Sequence, residues 1–221
     1  MTAPVRRRAT GRHRPYVVAG ARALGLQVAR GLFRLDVRGA EHVPADGPVL
    51  LAGNHSGFLD GPLVFLVAPR PAALLAKSEI FAGLGARVFG WLGLIPVHRG
   101  LADRDALRAG LAVLAGGGAL GVFPEGTRGS GQLEQVSDGL AYLALRSGAA
   151  VVPIAVVGTA AAWPRGARVP RPRAPVRVVF GPAVVVDVDG DPRSRRTVAA
   201  AAEQLRVALV THLRAAAEES T

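Results

Sequence analysis

Six short, nearly unbroken apolar runs punctuate the chain: Val49–Ala52, Ala72–Ala76, Leu94–Val97, Ala119–Phe123, Val151–Val157 and Val176–Phe180. Such runs are too short to be full helices, and their lack of polar alternation marks strands covered on both faces. Helical patterns fill the gaps, over Leu59–Ala68, Ile80–Leu92, Asp103–Ala115 and Ser137–Ser147, with a long closing helix over Asp191–Ala217. Asp103 is a start signal for its helix, and Gly116, Gly117 and Gly118 are its stop. Strands alternating with helices predict an α/β fold: a single layered domain with a mostly parallel mixed sheet flanked by helices. Residues 163–177 read as a long loop, rich in proline and arginine and free of acids.

The chain has 221 residues, enough for one domain with a sizeable core. Half of the residues are hydrophobic and 19% are charged, the reverse of a disordered composition. The absence of cysteine excludes disulfides, thiolate metal sites and a cysteine nucleophile, and fits a cytosolic compartment. The net charge is +11, and Lys77 is the only lysine among 27 basic side chains. That balance calls for an anionic partner, whether nucleic acid, lipid or a phosphorylated substrate, or else reflects an arginine-rich codon bias.

The basic residues concentrate at the N-terminus. Residues 1–14 read as a mobile basic tail and residues 15–32 as a helix. Arg22, Gln27, Arg30 and Arg34 share one arc of its wheel, opposite Val17, Leu24, Val28 and Leu32. The pattern suits either a helix packed on the domain or one lying in a lipid interface with its arginines at anionic headgroups. No apolar run approaches the ~18 residues of a membrane-spanning helix. The N-terminal stretch also lacks the pattern of a secretory signal. Residues 1–34 are therefore expected to be a basic tail with an amphipathic membrane-associating helix, and residues 35–221 the layered domain.

Four strand ends carry the candidate chemistry. Asn54-His55-Ser56-Gly57-Phe58-Leu59-Asp60 follows the first run, where ligands gather in open α/β sheets. A histidine in that turn can aim one ring nitrogen at a substrate if an acceptor fixes the other. Asp60, in the first helical turn, can be that acceptor, as the aspartate is in a serine-protease triad. Alone, an H-x4-D spacing fits a capping or buried histidine better than a catalytic one. Phe123-Pro124-Glu125-Gly126-Thr127-Arg128 follows another strand, and its guanidinium, hydroxyl and backbone amides suit a phosphate. Arg99 closes Gly93-Leu94-Ile95-Pro96-Val97-His98-Arg99, and Lys77 closes the second run. Lys77, Arg99 and Arg128 thus leave successive strands toward one sheet edge near His55.

Together these blocks resemble the glycerolipid acyltransferase family of the lysophosphatidate acyltransferase type. The N-H-x4-D and F-P-E-G-T-R pair carries the resemblance, with Gly93–Arg99 and Val151-Val152-Pro153-Ile154 as the further blocks in the expected order. It covers roughly residues 35–185. The resemblance implies an acyltransferase domain that moves a fatty acyl group from acyl-CoA or acyl-carrier protein to a lysophospholipid hydroxyl. The leading acceptor is 1-acylglycerol-3-phosphate, giving phosphatidate in phospholipid biosynthesis. His55 is then the general base and Asp60 orients it. Lys77, Arg99, Glu125, Gly126, Thr127 and Arg128 bind the acceptor, and the Pro153 strand shapes the acyl-donor side. The acyl thioester is a co-substrate, and no cofactor, metal or acyl-enzyme is required. The expected location is peripheral, on the cytoplasmic face of the cell membrane. One departure bears on the acceptor: Val136-Ser137-Asp138-Gly139 has an acid where this family commonly has lysine, so another glycerolipid or a specialised lipid is the alternative.

Rival readings have less behind them. A serine hydrolase needs G-x-S-x-G, and Gly53-Asn54-His55-Ser56-Gly57 places its serine one position late. Ser130 has no strand-to-helix context. A nucleic-acid or lipid-binding module without catalysis would explain the charge, but no nucleic-acid-binding motif is present and aromatics are 5%. Gly83-Leu84-Gly85 lacks the third glycine and the preceding strand of a dinucleotide site.

Overall fold

The computed structural model describes residues 15–81, 92, 94–97, 103–126 and 131–219. Most of the helix expected over Ile80–Leu92 and all of the tail before Pro15 lie outside them. Among the described residues seven strands form one sheet: β1 (Phe33–Arg38), β2 (Val49–Gly53), β3 (Ala72–Lys77), β4 (Leu94–Val97), β5 (Ala119–Val122), β6 (Ala150–Val157) and β7 (Ala174–Phe180). Their order across the sheet is β1-β7-β6-β2-β5-β3-β4. β2 runs parallel to β5 and β6, and β3 to β4 and β5, whereas β7 is antiparallel to β6 and carries β1 parallel to itself. The mostly parallel mixed sheet expected from the apolar runs is the sheet observed.

The helices are α1 (Pro15–Leu32), α2 (Asp60–Val67), α3 (Arg104–Ala115), α4 (Asp138–Ser147), the short α5 (Thr159–Ala162) and α6 (Arg195–Glu218). All five residues of β2 are buried. Val49 and Leu51 face a core shared with α1 and α2, and Leu50 and Ala52 face one shared with α3, α4 and α6. This two-sided burial explains why the strand is an unbroken apolar run; each fully buried aliphatic side chain contributes about 1.5–3 kcal/mol. α3 starts where its polar signal placed it. Asp103 Oδ1 accepts from the amides of Asp105 and Ala106 at 3.1 and 3.0 Å. Ser194 Oγ accepts from Thr197 N at 3.1 Å, so α6 starts later than the Asp191 expected.

Two expectations need correcting. The loop of residues 163–177 ends early, because β7 begins at Ala174, and Arg177 lies within that strand and pairs with Asp36 at 2.9 Å. Its partner β1 alternates apolar and charged residues (Phe-Arg-Leu-Asp-Val-Arg) and has no place among the apolar runs. The arc of α1 is also used differently. Arg22 is not on the outer face: its guanidinium donates to the carbonyls of Phe65 and Ala68 at the end of α2, and burial lowers its pKa from the ordinary value. The two helices approach closely here: a Cβ on Gly25 would stand 2.6 Å from the Leu66 methyl Cδ2, which would have to shift. With that face turned inward, Leu24, Val28 and Leu32 are left 69%, 53% and 40% exposed.

The site's location follows from this topology. β2 feeds α2 on one face, and its neighbour β5 feeds α4 on the other. The crevice between the carboxyl ends of two such strands is where α/β sheets take ligands.

Candidate active site

His55 leaves β2 at that crevice. Its Nδ1 is 2.9 Å from Oδ2 of Asp60, the first residue of α2. Asp60 is fully buried. Its Oδ2 also accepts from Gly57 N at 2.7 Å, and its Oδ1 accepts from the Thr159 hydroxyl. A carboxylate only accepts, so the His55 contact requires a proton on Nδ1 and leaves Nε2 as the basic nitrogen of the neutral ring. Among the described residues Nε2 has no hydrogen-bond partner. The imidazole rests against Phe123, ring centroids 4.7 Å apart and planes tilted by 31°.

The turn carrying His55 is held from three sides. Asn54 Nδ2 donates to Val156 O at 3.0 Å, and Val156 N donates to Asn54 Oδ1 at 2.7 Å. Glu125 Oε1 accepts from the amides of His55 and Leu133, both at 3.3 Å. Gly57 packs directly on α5, where a Cβ would stand 2.8 Å from Thr159 Oγ1. Leu133, at φ 56, is a buried non-glycine residue in the left-handed region, and the Glu125 bond anchors its amide.

His55 opens onto a cavity of about 1560 Å³, lined mainly by apolar side chains that include Phe65, Leu74, Leu94 and Leu111. Lys77, at the end of β3, lines the same cavity, as do Gly126 and Asp138. So do Arg104 and Arg108 on α3 and Arg193 and Arg195 around the start of α6. Phe58 stands at its mouth, 54% exposed and edge-on to Trp163 at 5.5 Å. Among the described residues, no three or more side chains gather as a metal site would require.

Lys77 and Gly126 thus line the same cavity as His55, which Asp60 holds from behind. Arg99, Thr127 and Arg128 lie outside the described residues. Glu125 comes to the site, but its carboxylate is spent on the main-chain amides of His55 and Leu133, a use better suited to an anion than contact with a phosphate. Pro153 is buried inside β6 opposite Ala52 and does not line the cavity. Sequence reasoning missed Thr159 and the bracing role of Asn54. A hydroxyl just past β6, the neighbour of the histidine-bearing strand, was the available signal for Thr159. Ser56, the serine of the hydrolase rival, bonds Thr159 Oγ1 at 3.2 Å rather than His55.

The Acyltransferase family model matches residues 34–157, more than half of the chain. A chloroplastic 1-acyl-sn-glycerol-3-phosphate acyltransferase of Arabidopsis thaliana is 30% identical over 142 residues, 61% of this chain and 39% of the relative. A 1-acyl-sn-glycerol-3-phosphate acyltransferase of Borreliella burgdorferi is 31% identical over 136 residues, 58% of this chain and 52% of the relative. The chain therefore spans about half or less of the length of these curated relatives. The crystal structure of the 1-acyl-sn-glycerophosphate acyltransferase PlsC from Thermotoga maritima superposes with a TM-score of 0.67 at 27% identity, covering 90% of this chain and 80% of that one.

Proposed function

The chain belongs to the Acyltransferase family, and on that premise we propose that it transfers a fatty acyl group from an acyl thioester to the hydroxyl of a lysophospholipid, with His55 as general base. The observation that carries this reading is the His55–Asp60 pair at 2.9 Å, with His55 lining a large apolar cavity. Nε2 takes the proton of the acceptor hydroxyl as its oxygen attacks the thioester carbonyl. The C–O bond forms, the tetrahedral intermediate collapses, the C–S bond breaks, and the thiolate leaves with the proton returned by the imidazolium. Asp60 steadies the imidazolium as it forms. The apolar cavity suits the acyl chain, which gains about 0.8 kcal/mol for each methylene removed from water.

The acceptor we favour is 1-acylglycerol-3-phosphate, its phosphate met by Lys77, Arg99, Thr127 and Arg128. A less anionic glycerolipid is the alternative, because Asp138 puts a carboxylate on the cavity wall. Both expected donors, acyl-CoA and acyl-carrier protein, are anionic, and Arg104, Arg193 and Arg195 on the rim suit either.

The same reading puts the protein on an anionic membrane surface, peripheral and on the cytoplasmic side. Among the described residues no helix is long and apolar enough to cross a membrane. The exposed ridge Leu24-Val28-Leu32 on α1 adjoins the arginine-rich loop: Arg173 N donates to Leu32 O at 2.6 Å, and Arg34 Nε to Arg173 O at 2.9 Å. An apolar ridge bordered by arginines is the pattern of an interfacial helix. A panel of lysolipid acceptors offered with labelled acyl-CoA and labelled acyl-carrier protein tests the assignment. Labelled phosphatidate supports it, whereas thioester hydrolysis without any acylated lipid rejects it.

A further inference from the structure

Asp60 has more partners than orienting a histidine requires, and the third of them comes from a different part of the sheet. Its Oδ2 takes Gly57 N and His55 Nδ1, both from its own segment, while its Oδ1 takes the hydroxyl of Thr159, 99 residues further on. Thr159 is fully buried and opens α5, directly after β6. We propose that Thr159 is a positioning residue of the transfer reaction, its hydroxyl locking the Asp60 carboxylate in the plane that aims Oδ2 at His55 Nδ1.

The reasoning starts from the torsion that sets a carboxylate plane. Rotation about the Asp Cβ–Cγ bond is soft, with broad wells. Two bonds to Oδ2 pin one oxygen but leave the group able to swing about it; a bond to Oδ1 removes that freedom. The network also has a fixed polarity. A hydroxyl has one proton, and Asp60 can only accept, so Thr159 donates to Asp60 and Ser56 Oγ, at 3.2 Å, must donate to Thr159. Ser56 thereby holds the threonine hydroxyl in the donating rotamer. The β-branched side chain adds stiffness at χ1. Without the hydroxyl, Oδ1 of a fully buried carboxylate would have no partner in a place closed to solvent.

This inference rests on the acyl-transfer reading for its kinetic arm and on geometry alone for its spectroscopic arm. The test compares wild type, Thr159→Val and Thr159→Ser in labelled acyl transfer, together with the downfield imidazole N–H proton resonance of His55. Thr159→Val should lower kcat by about tenfold, the rate equivalent of one hydrogen bond to a charged group. The KM values of donor and acceptor should both stay within about twofold. The His55 N–H signal should weaken or broaden. Thr159→Ser, which keeps the hydroxyl, should recover kcat to within about threefold and restore the signal. If Thr159→Val does not fold, Thr159→Cys takes its place, keeping the volume but offering only a weak donor. Normal kcat and an unchanged resonance in the hydroxyl-free variant would overturn the proposal, as would a Thr159→Ser variant as impaired as Thr159→Val. If wild type transfers no acyl group, the functional reading fails, and the resonance alone decides whether Thr159 orders the pair.

Discussion

The side-chain amide of Asn54 and the peptide of Val156 exchange two hydrogen bonds, at 3.0 and 2.7 Å. The β2–β6 ladder ends at the Gly53–Ile154 pair, and the Asn54 side chain continues it one step beyond the strand. The chain can then turn away to present His55 while its exit point stays tied to the sheet. Asn54→Ala would leave the buried amide and carbonyl of Val156 unpaired, at about 1–3 kcal/mol for each unmet group. Urea unfolding should show a loss of about 2–4 kcal/mol, with lower turnover in the folded fraction. A loss below about 0.5 kcal/mol would mean that water replaces the amide and the brace is dispensable.

Glu125 makes a related prediction by a different route. Its Oε1 bridges the amides of His55 and Leu133, so removing it should disturb where the base sits more than how the acceptor binds. Glu125→Ala should reduce kcat by about tenfold or more while the acceptor KM changes little. Glu125→Gln keeps a carbonyl acceptor and should retain much more activity than the alanine variant. A rise confined to the acceptor KM would return Glu125 to substrate binding.

The exposed ridge on α1 should act through lipid and not through chemistry. Leu24→Ser combined with Val28→Ser removes apolar area from solvent-facing positions, so folding stability should change by less than about 1 kcal/mol. Sedimentation with anionic vesicles should nonetheless weaken. Replacing Arg34 and Arg171 should weaken it further, with the larger effect at low salt. Vesicle binding that is unchanged in both sets would remove α1 and its neighbouring loop from the docking face.

What the sequence revealed follows from how each element is buried. β2, β5 and β6 are covered on both faces, so they stand out as apolar runs whose order alone implies a layered sheet. β1 lies at the sheet edge and places Arg34, Asp36 and Arg38 along one side, which hides it from a search for apolar runs. β7 gains its first residues, Ala174 and Pro175, only through register with Phe33 and Arg34 of that hidden strand. The wheel of α1 sorted its residues by chemistry correctly. The buried side, however, was decided by fit: Gly25 and Ala29 permit close packing, and the carbonyls ending α2 needed the guanidinium of Arg22. At the site, residues five apart such as His55 and Asp60 are legible because local geometry can join them. Thr159 joins the network from 99 positions away, and only the β2–β6 pairing makes it a neighbour.

The central claim is that Nε2 of His55 takes the acceptor proton. The most direct measurement is labelled acyl transfer by His55→Ala, with its fold checked by circular dichroism and thermal melting against wild type. His55 is partly exposed and its imidazole is not a core side chain, so the variant should fold. Its turnover should fall by at least about 100-fold, the scale of a lost general base. Folded His55→Ala that transfers the acyl group at near wild-type rate would contradict the account.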